Sequence, residues 1–377
     1  MDLGFSKRQE DFRDEIKQFM AKDCDRRLVR DIEESELGYS PDMWRSMAQR
    51  GWLGLIFPKE FGGGSRSWID HVVLMEEIGR QPCPVPYQAG VLQGCLAILE
   101  LGTEQQKKDW MPRILKGDLQ FRFCLTEPSA SYEASGVKVR ALPRGDDWSL
   151  NGTKLFIQYG MSADYYLVAA RTRDSGDPAD GVSLFLVDAG SQGIGKTPLI
   201  TMAEDKQAEV LFNQVKVPES HVVGPLHEAW PSIRKVLALS TIALCAEMSG
   251  GMQGALDYAV DYSKIRMQFG KPIGSFQAIQ HHAADMLIQM DAARYTAYEA
   301  AWRVDEGLEY EMEASMAKAL CSEAYQKVTA TGHQILGGIG FYKELDMHLW
   351  YRRAKSMEAF FGDAEYHREK IAQLMDL

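Results

Sequence analysis

The residue pattern predicts a multidomain chain of α and β structure: an N-terminal helical domain, a central small β-barrel or sandwich, and a C-terminal four-helix bundle. Three observations predict it. The 377 residues exceed what one compact core holds and imply two or three domains. Apolar spacing is helical up to Gly117-Asp118, then turns to short β-type runs. It becomes helical again from Trp230, so the expected domains are 1–118, 119–228 and 229–377.

Phe5, Phe12, Ile16 and Phe19 recur at helical spacing with charges on the opposite face. A polar stretch, 31–40, ends at Ser40-Pro41-Asp42, a serine cap with proline at the first helical position. The helix it opens carries Met43, Trp44, Met47 and Ala48 and stops near Gly51. Residues 54–64 read as a short extended piece and a glycine turn. Helical patterns follow at Trp68–Arg80 and 90–101, and Thr103-Glu104-Gln105-Gln106 opens another that runs to about Leu115.

Short β runs lie at 121–125, 138–142, 148–150, 154–158, Tyr165–Arg171, Val182–Asp188, 209–217 and 221–223, separated by Gly, Asp, Asn and Pro. Asn151-Gly152 carries the signal of a type I′ hairpin turn. Eight such strands in so short a span imply a small barrel or sandwich. Long amphipathic helices are expected at 232–264, Gln277–Asp305, 312–332 and 354–375.

Lys+Arg number 42 against Asp+Glu 53, a net charge of −11, which argues against nucleic acid or an anionic membrane as partner. No apolar run reaches the roughly 18 residues of a spanning helix. The opening MDLGFSKRQEDFRDEI is charged and lacks a signal-peptide core. Cys24, Cys83, Cys95, Cys124, Cys245 and Cys321 are scattered, with neither disulfide-scaffold nor zinc spacing. The expectation is a cytoplasmic protein with reduced thiols, no membrane segment and no metal.

Gly190-Ser191-Gln192-Gly193-Ile194-Gly195-Lys196-Thr197 fits the phosphate-loop expression and follows a strand-like run. Phosphate binding needs a helix immediately after it, whose N–H groups hold the anion. Pro198 and a further β-type run follow instead, so this is a β-loop. His281-His282 are adjacent and point about 100° apart on a helix, which excludes joint ligation of one metal. Gly337-Gly338-Ile339-Gly340 lacks the third glycine and the preceding strand of a dinucleotide fold.

Six segments, in order, resemble the acyl-CoA dehydrogenase family. They are Gly51-Trp52-Leu53-Gly54-Leu55 with Pro58, Phe61 and Gly62-Gly63; Leu125-Thr126-Glu127-Pro128; and Asn151-Gly152-Thr153-Lys154. Arg266-Met267-Gln268-Phe269-Gly270, Phe276-Gln277, and Gln334-Ile335-Leu336-Gly337-Gly338 with Gly340 complete the set. The resemblance spans almost the whole chain and implies that family's fold and FAD held non-covalently between subunits. By position it implies that Phe123, Leu125 and Thr126 line the flavin. Phe156 replaces a frequent Trp over the flavin, and Gln158 replaces a Thr or Ser at its reactive edge. Arg266 would hold the pyrophosphate with a fixed fork of donors, with Phe269 and Gln277 against the adenosine part. Gln334, Gly337 and Gly338 would meet the cofactor of a neighbouring subunit.

The implied reaction is α,β-dehydrogenation of an acyl-CoA. A carboxylate removes the α-proton, aligned donors polarise the thioester carbonyl, and the β-hydrogen leaves as hydride to flavin N5. The family's Tyr-Glu-Gly triplet is Phe360-Phe361-Gly362 in this chain, so that carboxylate is absent while the Phe361 N–H survives. A second branch places its Glu where this chain has Ser240. On the substrate side Tyr132 replaces a usual Ser, with Ala238 and Thr241 where Asp and Arg are frequent. Glu247, in a small and apolar stretch, is the replacement base or one half of a structural ion pair; Asp363 is the other nearby carboxylate.

The implied partners are an acyl-CoA, an electron-transfer flavoprotein, and sister chains in a homotetramer or a heterotetramer with a paralogous subunit. Two alternatives stand beside the dehydrogenase. One is a catalytically weak subunit that completes a sister chain's site. The other is a flavin monooxygenase or another non-dehydrogenase on the same scaffold.

Overall fold

A computed structural model describes residues 4–377. The chain forms two compact units, each assembled from separated segments. A bundle unit contains the residues up to Asp31, Ser67–Cys83 and Thr241–Leu377; a sheet unit contains Ile32–Arg66 and Pro84–Ser240.

In chain order the helices begin with α1 (Lys7–Asp23), α2 (Arg26–Glu34), α3 (Pro41–Gln49) and α4 (Trp68–Arg80). A π-helical turn, Gln88–Leu92, leads into α5 (Gln93–Leu101), and α6 (Glu104–Leu115) follows. The strands are β1 (Phe121–Cys124), β2 (Arg140–Arg144), β3 (Asp147–Gln158), β4 (Tyr165–Arg171), β5 (Val182–Asp188), β6 (Ile194–Leu199), β7 (Gln207–Pro218) and β8 (Val222–Val223). After α7 (Trp230–Ile265) a two-stranded ribbon, β9 (Met267–Gln268) and β10 (Lys271–Pro272), precedes α8 (Gln277–Asp305). Last come α9 (Glu311–Leu336), α10 (Met347–Ala359) and α11 (Ala364–Leu374).

The caps expected from sequence form. The Ser40 side chain accepts from the Met43 N–H with Pro41 at the first helical position. Thr103 and Gln106 make a reciprocal capping box that starts α6. In the sheet unit, seven strands run in the order β6-β7-β3-β2-β4-β5-β8, with β1 parallel beside β4. Trp148, Tyr166, Phe185, Val187, Phe212 and Val217 come from four different strands and share one core, so the sheet folds around its own inner face.

In the bundle unit Met248, Met252, Met286, Met290, Tyr325, Val328 and Trp350 pack the interior. Helices α4 and α7 cross in backbone contact. A Cβ on Gly79 would collide with the Glu247 carbonyl, and one on Gly250 with the Glu76 carbonyl. Helix α7 also contains an apolar 18-residue window long enough to cross a membrane, which the sequence reading did not register. That window is 89% buried within the protein, as the core helix of a globular fold is.

Several elements differ from the sequence pattern. Asn151-Gly152 lies inside β3 and does not reverse the chain; the tight turn falls at Gly145-Asp146, between the paired Arg144 and Asp147. At Asn151-Gly152 the ladder carries a bulge on β7, where Gln214 is left-handed and donates its N–H to Asn151 Oδ1. A type I′ turn needs positive φ at both residues, and only Gly152 has it. The expected helix over 354–375 is two helices, broken where Phe361 and Gly362 turn left-handed. Residues 54–64 are successive turns with a short 3₁₀ piece, and the first half of the polar stretch 31–40 ends α2. The phosphate-loop look-alike runs into strand β6 with no helix after it.

Two imidazoles, His71 on α4 and His367 on α11, are buried, and burial pushes both down to about 3. Unfolded histidine titrates near 6.5, so below that pH the unfolded chain binds protons that the folded chain refuses. Stability therefore falls as pH drops from about 6.5 toward 3, by at most about 1.4 kcal/mol per pH unit per imidazole. Urea midpoints measured at pH 7 and pH 5 should decrease, and His71→Gln should flatten that decrease. An unchanged slope in the variant refutes the assignment.

Candidate functional site

The residues expected to face a flavin from the sheet unit come together at the end of β1. Phe123, Leu125 and Thr126 are buried there. Thr126 Oγ1 donates to the Leu155 carbonyl at 2.6 Å, and the Leu155 N–H returns to the Thr126 carbonyl at 2.9 Å. These two bonds hold a second bulge in β3. Lys154 pairs with Val210 and Ile157 with Ala208, so three steps on β3 oppose two on β7.

The extra residue is Phe156, left-handed at φ 58° and 44% exposed. A bulky residue in that conformation is strained and persists only where its surroundings hold it. The bulge lifts the Phe156 ring off the sheet surface, next to the Thr126 hydrogen bonds. Gln158 closes the strand half-buried, opposite Gln207. Tyr132, in the loop beyond Pro128, is half-buried as well.

Beneath this bulge sits an ion pair that sequence reasoning passed over. Lys154 has no exposure, and its Nζ donates to Glu127 Oε1 at 2.7 Å and to the Leu125 carbonyl at 2.8 Å. Glu127 accepts in addition from the Lys138 and Val139 N–H groups. Burial lowers the Lys154 ammonium from its ordinary range, and the Glu127 carboxylate opposes that shift. Both residues stood inside quoted motifs, Leu125-Thr126-Glu127-Pro128 and Asn151-Gly152-Thr153-Lys154; their pairing required the fold. Arg122 is a second buried cation. Its guanidinium donates only to neutral oxygens of Gln120, Phe121, Tyr159 and Ser162, and burial pushes it down to about 10.

In the bundle unit the expected residues occupy three corners of the chain. Arg266 ends α7 and opens the β9–β10 ribbon, whose two turn residues, Phe269 and Gly270, both have positive φ, the geometry of a type I′ hairpin. Phe269 is 90% exposed and meets Phe276 edge-on at 6.1 Å. The Arg266 carbonyl accepts from the Ile273 N–H at 2.8 Å, which folds the ribbon back toward Gln277 at the start of α8. Arg266 and Gln277, on either side of this ribbon, are both exposed donors.

At the end of α9, Gln334 is exposed and Gly337 takes φ 70°, ψ −151°, a region open essentially to glycine alone. Nothing stands within 4 Å of where a Cβ on Gly337 or Gly338 would lie, so both backbones are open to close approach. These exposed aromatics, forked donors and open glycine backbones fit a flat dinucleotide cofactor.

The third corner carries Phe361 and Gly362, at φ 61° and 102°. A Cβ on Gly362 would collide with the Tyr366 ring. Glu247 is half-buried on α7, and its charge and that of Arg353 both act on the Tyr325 hydroxyl and the Cys83 thiol. In the sheet unit's stretch of α7, Ser240 is fully buried and has a hydroxyl without a hydrogen-bond partner. Among the described residues no His, Cys, Asp or Glu group is arranged to hold a metal.

Three family domains match the chain in order: the acyl-CoA dehydrogenase N-terminal domain over residues 6–118, its middle domain over 122–215 and its C-terminal domain over 228–375. The 3-(aryl)acrylate reductase of Clostridium sporogenes is 31% identical over 367 residues, 92% of this chain and 96% of that protein. The CarC subunit of the caffeyl-CoA reductase–Etf complex of Acetobacterium woodii is 31% identical over 99% of both chains. Butyryl-CoA dehydrogenase of Megasphaera elsdenii superposes with a TM-score of 0.92 at 29% identity, over all of both chains.

Removing Glu127 leaves Lys154 as an uncompensated buried charge, which costs about 3–5 kcal/mol. Glu127→Ala should lower the urea midpoint accordingly, and the double variant Glu127→Leu/Lys154→Met should recover much of that loss. A single variant as stable as the wild type contradicts the pairing.

Proposed function

Since the chain belongs to the acyl-CoA dehydrogenase family, we propose that it acts as an FAD-dependent oxidoreductase on an acyl-CoA thioester, introducing a double bond between Cα and Cβ. The observation that carries this reading is the strained Phe156 bulge, fastened by Thr126 and the buried Lys154–Glu127 pair. In this reading Phe123, Leu125, Thr126 and Phe156 would line the flavin, with Gln158 at its reactive edge. Bound FAD supplies the acceptor for the hydride that leaves Cβ. Arg266 would grip the pyrophosphate, Phe269 and Gln277 the adenosine part, and Gln334, Gly337 and Gly338 the cofactor of a neighbouring subunit.

On the substrate side, the Phe361 N–H would polarise the thioester carbonyl, with Gly362 next to it in the chain; Tyr132 is proposed separately as a substrate contact of the sheet unit. Glu247 is the proposed base. Its half-buried place among small apolar residues suits a carboxylate that takes an α-proton. The proposed electron acceptor is an electron-transfer flavoprotein, supported by the full-length match to a protein named as a subunit of an Etf complex. Exposed Ile265, Met267, Phe269, Leu287 and Ile288 support assembly into a homotetramer or a heterotetramer with a paralogue. The proposed location is the cytoplasm, and the proposed domain limits are 1–118, 119–228 and 229–377.

A second reading is favoured by one specific observation. Both positions at which the family carries its base hold other residues, Phe361 and Ser240. In that case this chain completes the site of a sister subunit and turns over little by itself.

Anaerobic addition of acyl-CoAs to the FAD-loaded protein should bleach the flavin absorbance. Glu247→Gln should slow that bleaching by about 10²–10⁴-fold while flavin content stays unchanged. Arg266→Gln should instead release FAD on gel filtration. Bleaching at wild-type rate in Glu247→Gln removes the base assignment. A flavin that no acyl-CoA bleaches until a paralogue is added selects the second reading.

A further inference from the structure

Lys318 lies in the first half of α9 with no exposure to solvent. Its ammonium has three N–H donors, and each meets a neutral oxygen. Ser322 Oγ, one turn along the same helix, accepts at 3.0 Å. The Glu358 carbonyl, in the last turn of α10, accepts at 2.9 Å, and the Gly362 carbonyl at 2.7 Å. Among the described residues no carboxylate makes an ion pair with it, although the Asp363 and Glu358 charges act on it from farther off. One buried cation therefore bridges the two sides of the corner that separates α10 from α11.

That corner needs a restraint. Phe361 is a bulky residue at φ 61°, and Gly362 follows at φ 102°. The carbonyl of Glu358 belongs to a helix end, whose final carbonyls have no intrahelical partner. Two further contacts hold the far side: His367 Nε2 donates to the Phe361 carbonyl at 3.0 Å, and Asp363 accepts from the Tyr366 N–H at 2.9 Å. The peptide that carries the Phe361 N–H thus lies between anchored carbonyls at Glu358 and at Phe361–Gly362.

A charge in such a place is a poor choice for folding alone. Burying an ammonium against neutral acceptors costs more than packing an apolar side chain of the same length, and burial pushes Lys318 down to about 8. The cost becomes intelligible if the cation has a task at the corner it holds.

We infer that Lys318 is a positioning residue of the acyl-thioester site: it fastens the left-handed Phe361–Gly362 corner and so fixes the Phe361 N–H that receives the substrate carbonyl. The inference rests on the proposed dehydrogenase reading, in which that N–H polarises the thioester. The ammonium also places a positive charge behind the corner, where negative charge grows on the carbonyl oxygen as the α-proton leaves.

The FAD-loaded protein and its Lys318→Met variant are compared by hydrogen exchange and by infrared spectroscopy of a bound enoyl-CoA labelled at the thioester carbonyl. Expected in the variant are at least tenfold faster exchange of the amides of residues 360–363, with α8 changed less than twofold, and a smaller red shift of the labelled carbonyl. The rate of flavin bleaching should fall about 10–100-fold, with the acyl-CoA concentration for half-maximal rate within threefold of wild type.

Unchanged corner exchange, or lost corner protection with an unchanged carbonyl shift, overturns the inference. Should the variant not fold, the wild-type protein decides. Corner amides protected as strongly as the middle of α10 support the clamp, and exchange as fast as that of the exposed loop 173–178 refutes it. Failure of the dehydrogenase reading is seen separately, as wild-type flavin that acyl-CoA does not bleach.

Discussion

A lysine ammonium removed from water must find oxygens to replace its hydration, and in each unit of this protein one such ammonium does so at a candidate site loop. Lys154 takes the Leu125 carbonyl and the Glu127 carboxylate, which fixes the end of β1 against β3. Lys318 takes the Glu358 and Gly362 carbonyls, which fixes the corner between α10 and α11. An apolar side chain could fill either space, but it could not hold a carbonyl in a set direction. The two cations differ in compensation: Lys154 has a carboxylate in contact, whereas Lys318 has neutral acceptors only. The former is chiefly a structural staple; the latter holds an ammonium, without a carboxylate in contact, beside the loop proposed to bind the carbonyl.

Backbone strain follows the same distribution. Four aromatic residues have positive φ, Phe156, Tyr159, Phe269 and Phe361. Each such residue costs on the order of 1 kcal/mol or more and requires surroundings that hold it. Phe156 is held by Thr126, and Tyr159 by its N–H to the Lys206 carbonyl and by Arg122 on its own carbonyl. Phe269 is held by the β9–β10 ribbon, and Phe361 by Lys318 and His367. Three of the four are residues that the sequence nominated for cofactor or substrate contact. The Phe156 and Phe269 rings are thereby left exposed, at 44% and 90%, rather than spent on the core.

Much of this was legible in the linear chain. Helix starts at Pro41 and Glu104 followed from Ser and Thr caps, and Trp68–Arg80, Tyr165–Arg171, Val182–Asp188 and Gln277–Asp305 followed from apolar period and flanking breakers. The β-loop reading of the phosphate-loop look-alike followed from Pro198 and the strand beyond it. The errors share one cause. Asn-Gly satisfies a hairpin turn and a bulge equally well as a dipeptide, and only the β7 partner, with Gln214 left-handed, selects the bulge. Phe360-Phe361-Gly362 continues a helical period, yet a lysine 44 residues before Gly362 holds it in a corner.

By itself the sequence determined the order of helical and sheet domains, the candidate flavin-facing residues, and which residues, Phe361 and Ser240, stand at the positions proposed for a base. These are local facts, set by side-chain period, capping chemistry and residue identity. The tertiary structure decided which residues hold those candidates in place: the pairing of Lys154 with Glu127, the bulge that turns Phe156 outward, and the reach of Lys318 to Gly362. Those depend on burial, because only where water is excluded does a lysine become a directional tether. Exclusion of water is a property of the folded whole that no stretch of sequence carries alone.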